Sequence, residues 1–443
     1  MLKNNIKWFI ILGLLLSLNC CYIKPLIYPK PENKDNYYLR DKQDRIIIYH
    51  GVNVSNYSKH SDGNLPWQLN EDFYKLRDWG FNIVRYLVFW SAIEPTKGNY
   101  DTVYINNVLN QIKFLDNIGI TTIIDIHQDL YADTFGGNGF PDWTIDDDSI
   151  PFGGLKEPWS LTYLDPAVIA SYNNFWNNKE LKTKYIKMID LLVNTFDTIP
   201  GVLGIDVMNE PIPNKSPNRF ERTTLTKFYY NIEKVFVGSK LKMFFEPWMS
   251  TSSMLPSCLN FKPKVSSVYY PHYYDVYVDA QKPYEDLSKN IMNNMFPLKI
   301  SEAQKYGVPI MIGEFGVSLN YNNFLKDLLN IYDKYNVGWC YYAYDKLSYS
   351  YYGILDDNGN LRPQMKYLVR AYPQKIAGNN PKWQTTEHEF TLQYEKHGNG
   401  QTEIYIPRTD SITIITYGSW LLDGKMLYYT NTDSLLQQIR ITY

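Results

Sequence analysis

The chain has 443 residues and a formal net charge of -2, and aromatic residues make up 16% of it, led by 40 tyrosines. That length supplies a sizeable core, enough for one barrel plus an appendage. Near-neutral charge, with no Lys/Arg run interleaved with aromatics, excludes the electrostatic footprint of a nucleic-acid partner.

The N-terminus reads as a targeting segment. Lys3 and Lys7 precede an apolar stretch at 8–18, too short to span a bilayer and suited to the hydrophobic region of a secretory signal. Cys20-Cys21 follow at the place of a lipid-attachment site, although Asn19 stands where such sites usually carry a small residue. Segment 1–21 therefore marks the protein as secreted or lipid-anchored at the cell surface, with an uncleaved anchor as the competing reading. Residues 22–44, with Pro25, Pro29 and Pro31, read as a tether. Cys258 and Cys340, far apart in sequence, form no metal spacing and no disulfide framework, and two buried thiols are expected.

Hydrophobic periodicity then alternates between strand and helix. Strands are predicted at 46–53, 83–89 and 121–126, with helices at 70–79 and 102–117 between them. A long connection, 127–165, precedes a helix at 179–196; a connection of that length inside a compact domain is usually functional. Strand 202–207, helix 220–236, strands 241–245 and 265–270, helix 287–306, strand 308–312, helix 321–335 and strand 337–342 complete the series. Eight such units predict an α/β fold, a (β/α)8 TIM barrel over 45–376, whose active site belongs at the carboxyl ends of the strands. Past 377–381 the period changes to two, at 389–394, 402–406 and 412–415, which predicts a small β-sandwich over 382–443.

The predicted strand ends gather Asn53, Arg85 with Trp90, His127-Gln128-Asp129, Asn209-Glu210, Glu246, His272 with Tyr274, Glu314 and Tyr342. Two carboxylates, Glu210 and Glu314, each end an apolar strand, and imidazoles, amides and rings surround them. That inventory suits glycoside hydrolysis, in which one carboxyl serves as acid/base and the other as nucleophile or base. No H-E-x-x-H, G-x-S-x-G, Walker loop or G-x-G-x-x-G occurs, and Gly136-Gly137-Asn138-Gly139 lacks the following helix of a phosphate cradle. No metal and no cofactor is expected.

The strand-four N-E-P (209–211) and strand-seven G-E-F-G (313–316), with Arg85, His127, His272 and Tyr274 at other strand ends, resemble the family-5 retaining glycoside hydrolases of the large barrel clan. Within that family D-I-H-Q-D-L-Y (125–131) and G-N-G-F-P-D-W (137–143) are similar to the endoglycoceramidases. So are G-V-N (51–53) with Ser58-Lys59, F-W-S-A-I-E-P (89–95), N-F-W (174–176) and T-E-I-Y-I-P (402–407), and the likeness runs from about Ile46 to the C-terminus.

The resemblance implies that Glu210 is the acid/base and Glu314 the nucleophile. It implies further that Asn209 holds the sugar 2-hydroxyl, that Tyr274 sits beside the nucleophile, and that Arg85 keeps Glu314 ionised. His127, Asp129 and Lys59 match positions that bind the sugar next to the cleaved bond. Tyr342 stands where the family usually places Trp as a sugar platform. Other readings stay open at this stage: Arg85 as a barrel-closing ion pair, His127 and His272 as supports for their neighbours, Lys59 as a solvated lysine. The family acts on glycosphingolipids, so the implied partner is such a substrate at a membrane surface, with no obligate protein partner. Phe135, Phe140, Trp143, Phe152 and Trp159, with Met254 and Leu255, are candidates for an apolar slot or for packing the loop onto the barrel. Rival functions are a β-glycosidase of steryl glucoside or galactosylceramide, an endo-β-glucanase, or a glycan- or lipid-binding surface lipoprotein; the last has no reason to keep both glutamates.

Overall fold

The computed structural model describes residues 37–145, 150–253, 255–279, 281–318 and 320–443. The expected targeting segment, the tether up to residue 36, and Met254 lie outside these residues.

Eight strands form one parallel sheet: β1 His50–Val54, β2 Ile83–Val88, β3 Thr121–Ile126, β4 Val202–Asp206, β5 Lys242–Phe245, β6 Ser267–Tyr269, β7 Met311–Ile312 and β8 Gly338–Tyr341. The order is β6-β5-β4-β3-β2-β1-β8-β7. A parallel bridge between Tyr269 and Ile310 brings the two outer strands together and closes the barrel. Helices cover the outside because their apolar residues recur at helical spacing. Thr102–Asn117 buries Tyr104, Ile105, Val108, Ile112 and Leu115, and Asp101 caps it by accepting from the Val103 and Tyr104 amides. Lys179–Phe196 begins the same way at Asn178 and turns Leu181, Tyr185, Met188, Ile189 and Leu192 inward. Among the described residues no helix is long and apolar enough to cross a membrane.

The remaining strands, β9 Tyr372–Ile376, β10 Gly378–Thr385, β11 Glu389–Lys396, β12 Thr402–Tyr405, β13 Thr413–Thr416, β14 Trp420–Asp423, β15 Met426–Tyr429 and β16 Leu436–Thr442, make two antiparallel sheets. One is β10-β11-β16-β13. The other runs Leu39–Arg40, Ile46–Ile47, β9, β12, β15, β14. Alternate residues such as Phe390, Leu392, Ile404, Leu427, Ile439 and Ile441 fill the space between them.

Three sequence expectations are corrected here. Leu39–Arg40, expected in the tether, pairs antiparallel with Ile46–Ile47. The strand expected at 46–53 is divided, because Ile46 and Ile48 pack into the sandwich core while the barrel strand starts at His50. The sandwich also begins before 382, since β9 and β10 already belong to its sheets. At the joint the His50 ring lies between Trp339 of the barrel, at 4.3 Å, and Tyr372 of the sandwich, at 3.7 Å. Burial, with Arg370 nearby, holds this imidazole well below its ordinary pKa, so it packs as a neutral ring. Cys340 is buried as expected, whereas Cys258 is only partly covered.

Candidate active site

Inward-facing residues recur every second position along the barrel strands, so a strand entering at the floor climbs to the rim in fixed steps. Ile83, Ile123, Phe244, Val268 and Cys340 form an apolar floor. Two residues later come Arg85, Asp125, Glu246, Tyr270 and Tyr342, and a further two bring His127 and His272 to the mouth. The charged layer therefore sits on the floor, out of water.

Arg85 is the hub of that layer. Its guanidinium donates to Asp206 at 2.7 Å, to the Asn53 amide oxygen at 3.0 Å, to the Asn209 amide oxygen at 2.9 Å and to Glu314 at 2.5 Å. Asp125 lies 2.9 Å and Glu246 3.2 Å from the same group. Arg85, Asp125 and Asp206 are fully buried. Two clusters, Asp125/His127/Glu314 and Asp206/Glu246/His272, converge tightly enough for a cation. Arg85 reaches carboxylates of both, so the chain supplies a fixed cation of its own there.

Glu210 follows β4 with φ at +42°, a left-handed conformation that strains a non-glycine residue by roughly 1–3 kcal/mol. It is held there because its N–H donates to Glu246 at 3.0 Å and its carbonyl accepts from the Gln128 side chain at 3.1 Å. Glu314 follows β7 and accepts from Arg85 and from the Tyr274 hydroxyl, the latter at 3.0 Å. His272 stands between them, its Nδ1 lying 2.9 Å from a Glu210 oxygen and 3.7 Å from a Glu314 oxygen. Those two legs laid end to end bound the carboxyl separation, and the bound encloses the roughly 5–5.5 Å of retaining sites. Gly313 makes room for this imidazole, because a Cβ there would lie 2.9 Å from its Nε2.

The two glutamates are pushed in opposite directions. Burial raises the Glu210 pKa, and the His272 bond opposes but does not cancel it while Glu314 and Glu246 add to the rise. Burial also acts on Glu314, but His272 and Arg85, with His127 and Lys59 behind them, outweigh it and hold this carboxyl below its ordinary value. Burial works against the His272 proton too, yet Glu246 and Glu314 prevail and keep it well above the usual imidazole range.

A second polar run lines the other side. His127 contacts Asp125 at 2.7 Å through Nδ1 and Asp129 at 3.3 Å through Nε2, and Lys59 pairs with Asp129 at 2.7 Å. The Lys59 ammonium also lies 5.0 Å from the Tyr342 ring centroid. Tyr342 donates to the Asn56 side chain at 2.5 Å. The ten site residues named from sequence are thus joined through Arg85, His272 and the Asp125–His127–Asp129–Lys59 run.

Other rim expectations change. Trp90 is buried beneath the third loop, its ring against Trp143 at 5.3 Å and its N–H on Glu94 at 2.9 Å. Phe140 packs on Trp90 at 5.5 Å and on Phe175 at 4.9 Å, which holds the loop onto the barrel, whereas Phe135 packs against Phe152 at 5.3 Å within the loop itself. Sequence reasoning placed Asn53 and Gln128 on the strand-end rim, where they bond Arg85 and the Glu210 carbonyl, but missed Asp125 and Asp206 as structural parts of the site. Two-residue spacing below His127 and beside Arg85 was the available signal for Asp125.

A (β/α)8 barrel with two strand-end glutamates around a shared histidine is the architecture of a glycoside hydrolase. The family model for cellulases of glycosyl hydrolase family 5 matches residues 48–348, and the chain belongs to that family. Within it the chain is endoglycoceramidase-like. Endoglycoceramidase I of Rhodococcus hoagii (strain 103S) is 27% identical over 383 residues, covering 78% of this chain and 72% of the relative. The fold of endo-glycoceramidase II from Rhodococcus sp., solved as a ganglioside GM3 complex, matches with a TM-score of 0.84 at 23% identity over 91% of this chain and 99% of that one. Cryptococcus neoformans sterylglucosidase 1 shares the fold at a TM-score of 0.73 and 13% identity, over 92% and 96% of the two chains.

Arg85→Met leaves the carboxylates around it buried without their cation. The expected loss is about 3–5 kcal/mol of folding stability at neutral pH, read from urea denaturation, and less in acid, where carboxylates take up protons instead. An unchanged midpoint at neutral pH would show that the layer is not held by Arg85.

Proposed function

We propose that this protein is a retaining endo-β-glycosidase that hydrolyses the bond between glycan and ceramide in glycosphingolipids. The observation that carries the mechanism is His272 between two carboxyls, one biased toward its acid form and the other toward its anion. In the first step the Glu314 carboxylate attacks the anomeric carbon, the bond to the aglycone oxygen breaks, and Glu210 gives that oxygen its proton, releasing ceramide. In the second, Glu210 takes a proton from water, the water oxygen attacks the same carbon, and Glu314 leaves as a carboxylate.

The surrounding groups follow from their partners. Arg85 and the Tyr274 hydroxyl keep Glu314 anionic and oriented. The Asn209 amide gives one N–H to the Gln128 carbonyl at 3.0 Å, which leaves the other for a sugar 2-hydroxyl. Lys59 and Asp129 present a donor and an acceptor to the remaining hydroxyls. Both nitrogens of His127 face carboxylates, so its part is to fix Asp129. Tyr342 offers a smaller ring than Trp beneath the sugar. The ceramide reading rests on the likeness to endoglycoceramidases across most of the chain. Residues 1–21 are read in the same proposal as an export signal with a lipidation site. Recovery of the chain with 1–21 uncleaved in the cytosol would remove that part.

One comparison separates the substrate readings: incubation with a ganglioside, cellulose and a steryl glucoside. Release of intact oligosaccharide from the ganglioside is expected, and cleavage of glucan alone would overturn the assignment.

Glu314→Gln is expected to abolish turnover, and Glu210→Gln to leave slow hydrolysis of substrates with activated leaving groups, by about 10²–10⁴-fold below wild type on natural ones. The pH profile of kcat/KM follows from the shifts. Activity needs Glu314 ionised, so it is lost only as pH falls through a pKa below the ordinary glutamate value. It also needs Glu210 protonated, so the basic limb lies above that value. A basic limb that persists in Glu210→Gln would take the acid role away from Glu210.

A further inference from the structure

Residues 150–169, the end of the third loop and the first turn of the helix Pro166–Asn177, expose Ile150, Leu155, Trp159, Leu164 and Ile169, each between 43% and 63% accessible. Leu155, Trp159 and Leu164 belong to one lobe, with Ile150 leading into it and Ile169 on the helix that follows. The Gly153 amide donates to Asp165 at 3.1 Å and the Lys156 amide to Thr162 at 3.0 Å, so the arm that carries Leu155 runs beside the arm that carries Leu164. Lys156 is tied to Asp165 at 3.0 Å, Glu157 is the one other charged residue of the segment, and Asp146-Asp147-Asp148 precede it in sequence. Large apolar side chains exposed this close together in the chain mark an interaction surface.

The lobe is continuous with the sugar pocket. Trp159 packs on Tyr163 with ring centroids 5.8 Å apart, and the Tyr163 hydroxyl donates to Asp129 at 3.4 Å. The path from Lys59–Asp129 outward thus passes from charged groups to a phenol, then to an indole, then to exposed aliphatics. That order matches a molecule whose sugar is held in the pocket while its lipid remains in a membrane.

We propose that the 150–169 lobe is the surface by which the enzyme docks on a zwitterionic bilayer, with Ile150, Leu155 and Trp159 entering the interface. This rests on the glycolipid reading given above. Glu157 and the Asp146-Asp147-Asp148 run that precedes the lobe in sequence disfavour an anionic surface, so docking on a zwitterionic one runs on apolar burial and is insensitive to salt. An indole at the edge of such a lobe suits the boundary between headgroups and chains.

The test uses the full chain with phosphatidylcholine vesicles and compares wild type, Ile150→Ser/Leu155→Ser, and a control on the sandwich, Tyr417→Ser/Trp420→Ser, where other large apolar side chains are exposed. Residues 1–36 are common to all three, so differences between them read the surfaces alone. Vesicle association is expected to fall about tenfold in the lobe variant, at low and high salt alike, and to stay unchanged in the sandwich variant. Hydrolysis of a soluble aryl β-lactoside is expected to be equal in all three, which reports an intact fold and site. Equal association of the three chains, loss only in the sandwich variant, or self-association without lipid that Ile150→Ser/Leu155→Ser abolishes would overturn the proposal. Failure of the substrate reading shows separately: wild type then cleaves no vesicle-borne ganglioside, while the association difference persists.

Discussion

A guanidinium buried on the barrel floor is the constraint to which the other parts of this molecule answer. Taking Arg85 and its carboxylates out of water costs several kcal/mol per ion, and only close, multiple bonding offsets that. The strands supply it because period two turns Arg85, Asp125, Asp206 and Glu246 toward the axis at one height. Glu314 is the member of this cluster that reaches the mouth. Its charge is therefore sustained from the mouth by His272 and from below by Arg85, a group that never meets a substrate.

The same layer explains why two glutamates of one barrel differ. Glu314 touches the hub directly, whereas Glu210 meets it only through Glu246 and His272. Each step away from Arg85 weakens the cationic field and leaves burial to prevail. The left-handed backbone at Glu210 serves this placement, because an ordinary conformation after β4 would not give its amide to Glu246 and its carbonyl to Gln128.

The barrel and the glutamate pair were legible because their signals are local. Apolar runs such as 121–126 and 202–207 read as strands, and N-E-P and G-E-F-G stand at strand ends whatever the neighbours do. The supporting acids were harder to read, since Asp125 and Asp206 sit inside strands, where only the register across the sheet shows that they face Arg85. Ile46 to Asn53 looked continuous because β-branched residues fill either core equally well, and nothing local marks the point where the chain leaves one core for the other. Trp90 and Phe140 carry no sign of whether a ring lines a groove or pins a loop. Tertiary packing decides that, as it does for the exposed residues of 150–169.

The barrel closes at β6 and β7, where β7 has two residues and a single bridge joins Tyr269 to Ile310. His272 and Glu314 continue these two strands past that joint, with Gly313 N–H on Pro271 at 3.1 Å and Tyr273 N–H on Glu314 at 2.8 Å as the bonds beyond it. The seam of the cylinder thus runs through the reactive centre. Local opening is cheapest where backbone bonds are fewest, so warming would part the imidazole from the carboxylate while the rest of the wall stands, and the temperature of inactivation would lie below that of unfolding.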